Sequence, residues 1–485
     1  MTPGPSDTVA PRTWPPALPA VPRQDQGPRV PPGRRNPRAL RGPLSSRSGA
    51  PPLPSGPIRS TVRGALDRLQ VPTYIAWFGA LLAMVVIARL HEALLFLRVI
   101  KPALLTMVVV VVAMLSSGAW RTIVPALRTG VGRAFLVYLV ACLASVPFSV
   151  WRFGSVAFLA NWIPVAVLFL ILAGLLTVSS ARAVILRGLF LAGIVAALLA
   201  FLPARRIQGR FMIGYTLDPN DTAALFVTLL PLAVYFARRG IVSALVALGG
   251  SALLGYGIVQ TGSRGGLLAA AVVSLVIGWQ LRPIFRVALL SAGVTLAATF
   301  ASWAPADLVR RVTDVVAESD YNLSSEGGRL ALWRRGTSYF LSRPITGVGV
   351  ANFTVADATE ASESMRHRGT VLTAHNSFIQ AGAELGLLGL LPFLFMCVAA
   401  WRVPWRLLRY GSAAREPELV DFGRAMLATA AGLMAAGWFL SLAYSAMLVY
   451  LFAATAALQV VIARSSTPMP VPSGHSRRVG ITGRG

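Results

Sequence analysis

The chain has 485 residues, of which 55% are hydrophobic and only 13% charged, with a mean hydropathy of +0.65. A soluble protein carries about a quarter charged residues, and apolar runs as long as those here suffice for a bilayer crossing, so the composition excludes a soluble globular class and indicates a polytopic membrane protein. The net charge of +27 does not indicate a nucleic-acid binder, because the arginines gather in tails and short loops between apolar runs, the positive-inside pattern.

Residues 1–57 hold 16 of the 33 prolines and almost no apolar cluster. This predicts a disordered, Pro/Arg-rich tail over 1–70, lying beside anionic lipid. Its PPLP piece also suits an aromatic groove. No apolar segment of a signal peptide precedes Tyr74. A membrane domain follows over 71–464, with about twelve transmembrane helices. They are expected at 73–90, 102–118, 134–150, 157–177, 183–203, 219–237, 241–260, 265–281, 284–304, 378–401, 425–443 and 445–463. The stretch 425–463 has no charge. As one helix it would run roughly 58 Å at ~1.5 Å per residue, too long for one crossing, so it is divided near Ser441–Ser445. A basic, disordered tail closes the chain over 465–485. Cys142 and Cys397 lie inside apolar runs and read as small buried hydrophobes. The four histidines form no zinc-binding spacing.

Alternating spans with both termini cytoplasmic put 29 of the 45 basic residues inside. Eight of the rest lie in one long loop, 305–376, between the ninth and tenth spans. Arg205, Arg206, Arg210 and Arg264 add four more on that side. The expected arrangement is therefore both termini inside and a large extracytoplasmic loop.

Every even-numbered span then starts on the outer side, where free N–H groups and the helix dipole favour anions. The sixth begins with Asp218 as an N-cap, Pro219 at the first helical position, then Asn220 and Asp221, with Arg210 just upstream. The eighth begins TGSRGG, with Ser263, Arg264 and two glycines that allow close approach of backbone to a ligand. The tenth begins His375–Asn376–Ser377, and Ser377 with Gln380 has capping-box spacing. Singly, each feature also reads as a cap or a snorkelling arginine; jointly they decorate one face beside the long loop. In that loop Arg329, Trp333 and Arg334 fall on a short amphipathic helix, with Trp333 as an interfacial anchor. Gly347, Gly349, Asn352 and Phe353 read as a tight loop, and His367 as a surface residue. Glu384, two turns into the tenth span, faces the site or joins an ion pair.

These motifs, TGSRGGLLA, GRLALW, RPITGVGVANF and AHNSF followed by AELGLLGL, resemble the O-antigen ligase and polymerase family of membrane glycosyltransferases. The resemblance runs from about the fifth span to the tenth. It implies an all-α, GT-C-like membrane fold that takes a glycan from undecaprenyl diphosphate and passes it to another glycan, to lipid A-core or to another hydroxyl acceptor. It places the protein in the inner (cytoplasmic) membrane with an extracytoplasmic active site, needing no cofactor, metal or nucleic acid, among other polysaccharide-assembly proteins. By similarity His375, Arg264, Arg329 and Arg210 are catalytic, with Arg205 and Arg206 as alternatives to Arg210. Asn376, Ser263, Asn220, Arg334 and Glu384 are the further substrate-binding candidates. The arginines would hold the diphosphate leaving group in place of a metal, and His375 would act as general base for an inverting displacement. Arginines nearby should keep the imidazole neutral. The competing class is a transporter or flippase of lipid-linked glycans, which calls for charges or broken helices near the bilayer midplane and repeat symmetry. A peptidoglycan polymerase of the shape-and-division type calls for a loop carboxylate as base.

Overall fold

A computed structural model describes residues 71–93, 100–201, 206, 207, 209–214, 216–237, 240–281, 283, 286, 328–360, 372–410 and 416–465. The two tails, the expected ninth span at 284–304 except for Arg286, Arg205, His367 and the stretches 305–327 and 361–371 of the long loop lie outside these. The described chain is helical apart from one two-stranded hairpin.

In chain order, α1 (Thr73–Ala83) continues as a π-helical turn, Met84–Ala88. Then come α2 (Pro102–Ser117), α3 (Ile123–Leu127), α4 (Gly130–Ser145), α5 (Arg152–Leu175) and α6 (Ser179–Leu198). The hairpin pairs β1 (Arg206–Ile207) with β2 (Arg210–Phe211). Next are α7 (Pro219–Leu229), α8 (Leu232–Ala237), α9 (Ile241–Gln260) and α10 (Arg264–Gln280). The long loop contributes α11 (Arg329–Ser342) and α12 (Phe353–Glu360), and α13 (Ser377–Tyr410), α14 (Pro417–Gly437) and α15 (Ala446–Ser465) follow.

Among the described residues, eight helices are long and apolar enough to cross a membrane: Gly130–Phe148, Arg152–Leu175, Ser179–Leu198, Pro219–Ala237, Ile241–Gln260, Ser377–Arg409, Pro417–Gly437 and Ala446–Ser465. Two shorter apolar helices, Thr73–Ala88 and Arg264–Gln280, stand with them. The protein is a polytopic helical membrane protein. The second expected span ends where the sequence reading places it, and a sharp turn follows. Gly118, at φ 74°, ends α2, and the chain turns by 94° into the stretch Ala119–Leu127. The uncharged stretch 425–463 is divided as expected, with α14 ending at Gly437 and α15 starting at Ala446.

Inside a bilayer, lipid is as apolar as leucine, so helices associate through close packing and hydrogen bonds. Here α10 runs along α14, α13 along α4 and α14, and α15 along α5. A Cβ on Gly432 would meet Val273 and Val227, and one on Gly266 would strike Ala223, so these glycines let α14, α10 and α7 approach closely. Phe135 of α4 stacks on Phe169 of α5 with centroids 3.7 Å apart. Tyr138 and Trp162 donate to the carbonyls of Ala443 and Tyr444, at 3.2 and 2.8 Å, which fixes the turn between α14 and α15. The outward faces stay apolar and exposed, as at Leu115, Val140 and Leu248, which suits lipid contact.

The tenth span is not a continuous helix. Gly386 sits at φ 61°, ψ −157° and breaks α13. The loop 344–349 repairs the break. Leu387 and Leu388 N–H donate to the carbonyls of Pro344 and Ile345, at 2.7 and 3.3 Å. In return, Val348 and Gly349 N–H donate to the carbonyls of Ala383 and Glu384, at 2.8 and 2.9 Å. Gly347 (φ 66°) lies so close to this backbone that a Cβ would strike Glu384. The two glycine-rich motifs of the sequence are therefore halves of one joint, and every orphaned backbone group of the break named here has a partner.

Candidate active site

The decorated helix starts meet at one end of the bundle, and each is built by a local cap. Asp218 accepts from the N–H groups of Asn220 and Asp221, at 2.6 and 2.8 Å, and Pro219 opens α7, as the sequence expects. Ser263 caps α10 by accepting from Gly266 N–H at 3.1 Å. Asn376, not Ser377, caps α13: its Oδ1 accepts from Phe378 and Ile379 N–H at 2.9 and 3.0 Å. Ser377 instead reaches across the bundle, donating to Leu440 O at 2.7 Å and accepting from Leu442 N–H at 2.9 Å. Gln380 accepts from Ala443 N–H at 3.2 Å. The expected capping box is not made, because both of its side chains are committed to the 438–445 turn.

Arg210 joins two of these starts. Its Nη2 donates to Asn220 Oδ1 at 2.9 Å, and its Nε donates to Thr261 O at 2.8 Å. Arg264, half-buried, is the first residue of α10. A Cβ on the next residue, Gly265, would sit 3.2 Å from Phe439 Cβ, so α10 begins against Phe439. Arg329, the first residue of α11, places its guanidinium carbon 5.6 Å from the Phe439 ring centroid, a cation–π contact. Two residues on, Ser441 Oγ accepts His375 N–H at 2.9 Å. The four residues singled out from sequence are thus linked through the 438–441 turn and the starts of α7 and α10.

His375 has φ 46°, in the left-handed region that non-glycine residues enter at a cost of order 1–3 kcal/mol. Desolvation by burial holds its imidazole below the ordinary histidine value, and the Arg329 guanidinium pushes the same way, while Asp218 opposes them. The ring therefore lies within electrostatic reach of both α11 and the start of α7, and is neutral at neutral pH.

The remaining candidates divide. Asn376 and Ser263, 0% and 2% exposed, have their side-chain oxygens engaged in caps, and the Asn376 amide also donates to Trp438 O at 3.2 Å. Asn220 acts on Arg210. Arg334 is exposed on α11. Glu384 is 2% exposed, and its carboxylate accepts from Ala351 and Phe353 N–H at 3.0 and 3.2 Å. Backbone donors of the 347–353 loop hold it, with the side chains of Gln380 and Tyr444 beside it, so it takes part in the joint. Asn352 is equally structural, bonding Ser155 Oγ at 2.5 Å and Trp151 N–H at 3.2 Å. Trp333 is half-buried and packs on the cluster that includes Ile379 of α13. Of the Arg205, Arg206 and Arg210 group, Arg210 makes the contacts with α7 and the α9–α10 turn described above.

Sequence reasoning missed two parts. The first is the 438–441 turn, which touches His375, Asn376, Ser377 and Arg329; its only signal was the serine-flanked break in an uncharged run. The second is Glu92, 3% exposed, which accepts from Thr216 Oγ1 at 2.6 Å, Thr216 N–H at 3.2 Å and Arg89 Nη1 at 3.0 Å. It ties the loop carrying Arg210 to the end of α1. Among the described residues, no group of three or more His, Cys, Asp or Glu side chains is placed to hold a metal ion.

No curated protein matches the chain. Residues 249–394 match the family model Wzy_C, described as O-antigen ligase. The matched stretch holds Arg264, Arg329 and His375 and stops short of Arg210 and the 438–441 turn. The motif resemblance and this match agree: the chain is a polytopic membrane protein whose residues 249–394 are similar to the O-antigen ligase family.

Proposed function

We propose that the protein is a glycosyltransferase that moves a glycan from undecaprenyl diphosphate to an acceptor hydroxyl at the outer face of the cytoplasmic membrane. The observation that carries the reading is His375, held with a left-handed backbone and within electrostatic reach of Arg329, with Arg210 and Arg264 at neighbouring helix starts. Guanidinium groups at helix N-termini suit a diphosphate, whose charge grows as the anomeric C–O bond breaks. His375 takes the acceptor proton, the acceptor oxygen bonds to the anomeric carbon from the opposite side, and undecaprenyl diphosphate leaves with inversion. The arginines supply positive charge to the leaving group. The arginine distribution supports cytoplasmic termini and an extracytoplasmic site.

The test is to incubate the purified full-length protein with a diphosphate-lipid oligosaccharide. A ladder of products identifies a polymerase, and a single transfer that needs an added acceptor identifies a ligase. No consumption by correctly folded protein overturns the reading.

A further inference from the structure

The turn between α4 and α5 and the chain leaving α11 enclose a pocket of about 670 Å³. Phe148, Val150 and Arg152 line one wall, and Arg343, Ile345 and Thr346 the other. The walls are stapled together. Val150 N–H donates to Val348 O at 2.9 Å, and Arg343 Nη1 donates to Phe148 O at 3.1 Å. The fold therefore shapes the cavity before any ligand arrives. It lies at a membrane boundary, because Phe148 ends one apolar helix long enough to cross and Arg152 begins the next. Trp151 and Phe153 are exposed on either side of Arg152, and aromatic rings gather at the level of lipid headgroups.

One arginine at a helix end needs only water. Here two, from distant parts of the chain, line one cavity, and like charges brought together repel unless an anion joins them. None of the described lining side chains is a carboxylate, and among the described residues neither arginine is in an ion pair. Two guanidinium forks suit the oxygens of a phosphate. The lack of a lining carboxylate also leaves nothing to pair with the ammonium of a zwitterionic lipid. Phe148, Val150 and Ile345 are apolar and exposed, so the surface around the arginines suits an acyl chain.

We propose that this pocket binds the headgroup of an anionic phospholipid, with its phosphate between Arg152 and Arg343 and its first acyl carbons against Phe148, Val150 and Ile345. The site does not rest on the transfer chemistry. Arg343 lies at the opposite end of α11 from Arg329, roughly 20 Å along the axis at ~1.5 Å per residue. One wall is half of the joint described above, since the Pro344 and Ile345 carbonyls accept from Leu387 and Leu388 N–H. A lipid held there braces the broken tenth span.

The test is native mass spectrometry of the purified full-length protein given phosphatidylglycerol and phosphatidylcholine with identical acyl chains. Wild type should retain the anionic lipid in preference. The double variant Arg152→Gln, Arg343→Gln should lower that preference about tenfold, the equivalent of one charge-assisted hydrogen bond. Arg152→Gln alone breaks no side-chain hydrogen bond among the described residues, so it should lower the preference with lipid-free melting unchanged. Phosphatidylglycerol should also raise the melting temperature of wild type and not of the double variant. No preference in wild type, or one that both variants keep, overturns the site. Equal protection by inorganic phosphate assigns the pocket to a soluble anion and also overturns it.

Discussion

At the residue scale, His375 is held by its backbone as much as by its ring. The Ser441 hydroxyl fixes its N–H, and its backbone is held at φ 46°. A general base must be neutral to work. The ordinary imidazole pKa is about 6.5, and burial with Arg329 lowers it. Transfer should therefore rise with pH along an acid limb centred below the ordinary value and be flat above neutrality. Arg329→Gln removes a charge that lowers the pKa, so the limb should move to higher pH, in addition to any loss of rate. The pH profile of transfer by the two proteins checks the sign. His375→Ala should reduce transfer by roughly 10²–10⁴-fold, the usual span for a lost acid–base group, with donor binding retained in a filter or mass-spectrometric assay. His375 and the arginines were legible because a titratable or charged residue at the mouth of an apolar run stands out. Asn376, Ser263 and Glu384 stood out for the same reason, and each also makes bonds that hold the fold: helix starts and broken helices need buried acceptors as much as ligands do.

At the element scale, the break in α13 matters most. The glycines at 347 and 386 hold positive φ, and a side chain at either would strike backbone across the joint. Gly386→Ala or Gly347→Ala should cost at least the roughly 1–3 kcal/mol of backbone strain and lower the melting temperature of the detergent-solubilised protein. Unchanged melting in both variants would mean that the joint does not hold the loop. The joint was invisible in the sequence because AELGLLGL reads as uninterrupted helix, and its partner, PITGVGV, lies some forty residues earlier. At the opposite end of α14, Arg182 forms a two-pronged pair with Glu418, at 2.9 and 2.5 Å, which Tyr235 reinforces at 2.6 Å. Arg182 is 3% exposed at its side chain. Arg182→Ala leaves Glu418 short of its cation, and a loss of about 3 kcal/mol is expected, less whatever its partial solvation returns. Thermal melting alongside a transfer assay should show lower stability with per-molecule activity retained in the folded fraction.

At the scale of the whole molecule, helices occupy eleven of the twelve expected runs, and the remaining one, 284–304, lies outside the described residues except for Arg286. Runs of apolar residues are legible because a bilayer demands length and hydrogen-bonded backbone. Breaks inside runs are not, because tertiary partners make them tolerable. The orientation proposed from charge is directly testable. Cys142 and Cys397 are 0% and 5% exposed, so the native protein gives a quiet background for thiol labelling. Arg334→Cys in intact cells should react with a membrane-impermeant maleimide before permeabilisation. Reaction only afterwards would invert the proposed orientation.

The 438–441 turn has a consequence for how this protein can be dissected. The family-matching stretch, 249–394, has the outline of a portable module, yet it lacks what sets its own chemistry. His375 is fixed by Ser441, Arg329 rests on Phe439, and the start of α10 is tied to α7 by Arg210. A chimera spliced at those boundaries would carry the histidine and two arginines into a scaffold that neither braces nor aims them. Functional exchange between relatives should need both flanks to travel with the centre, from the Arg210 hairpin through the turn after α14.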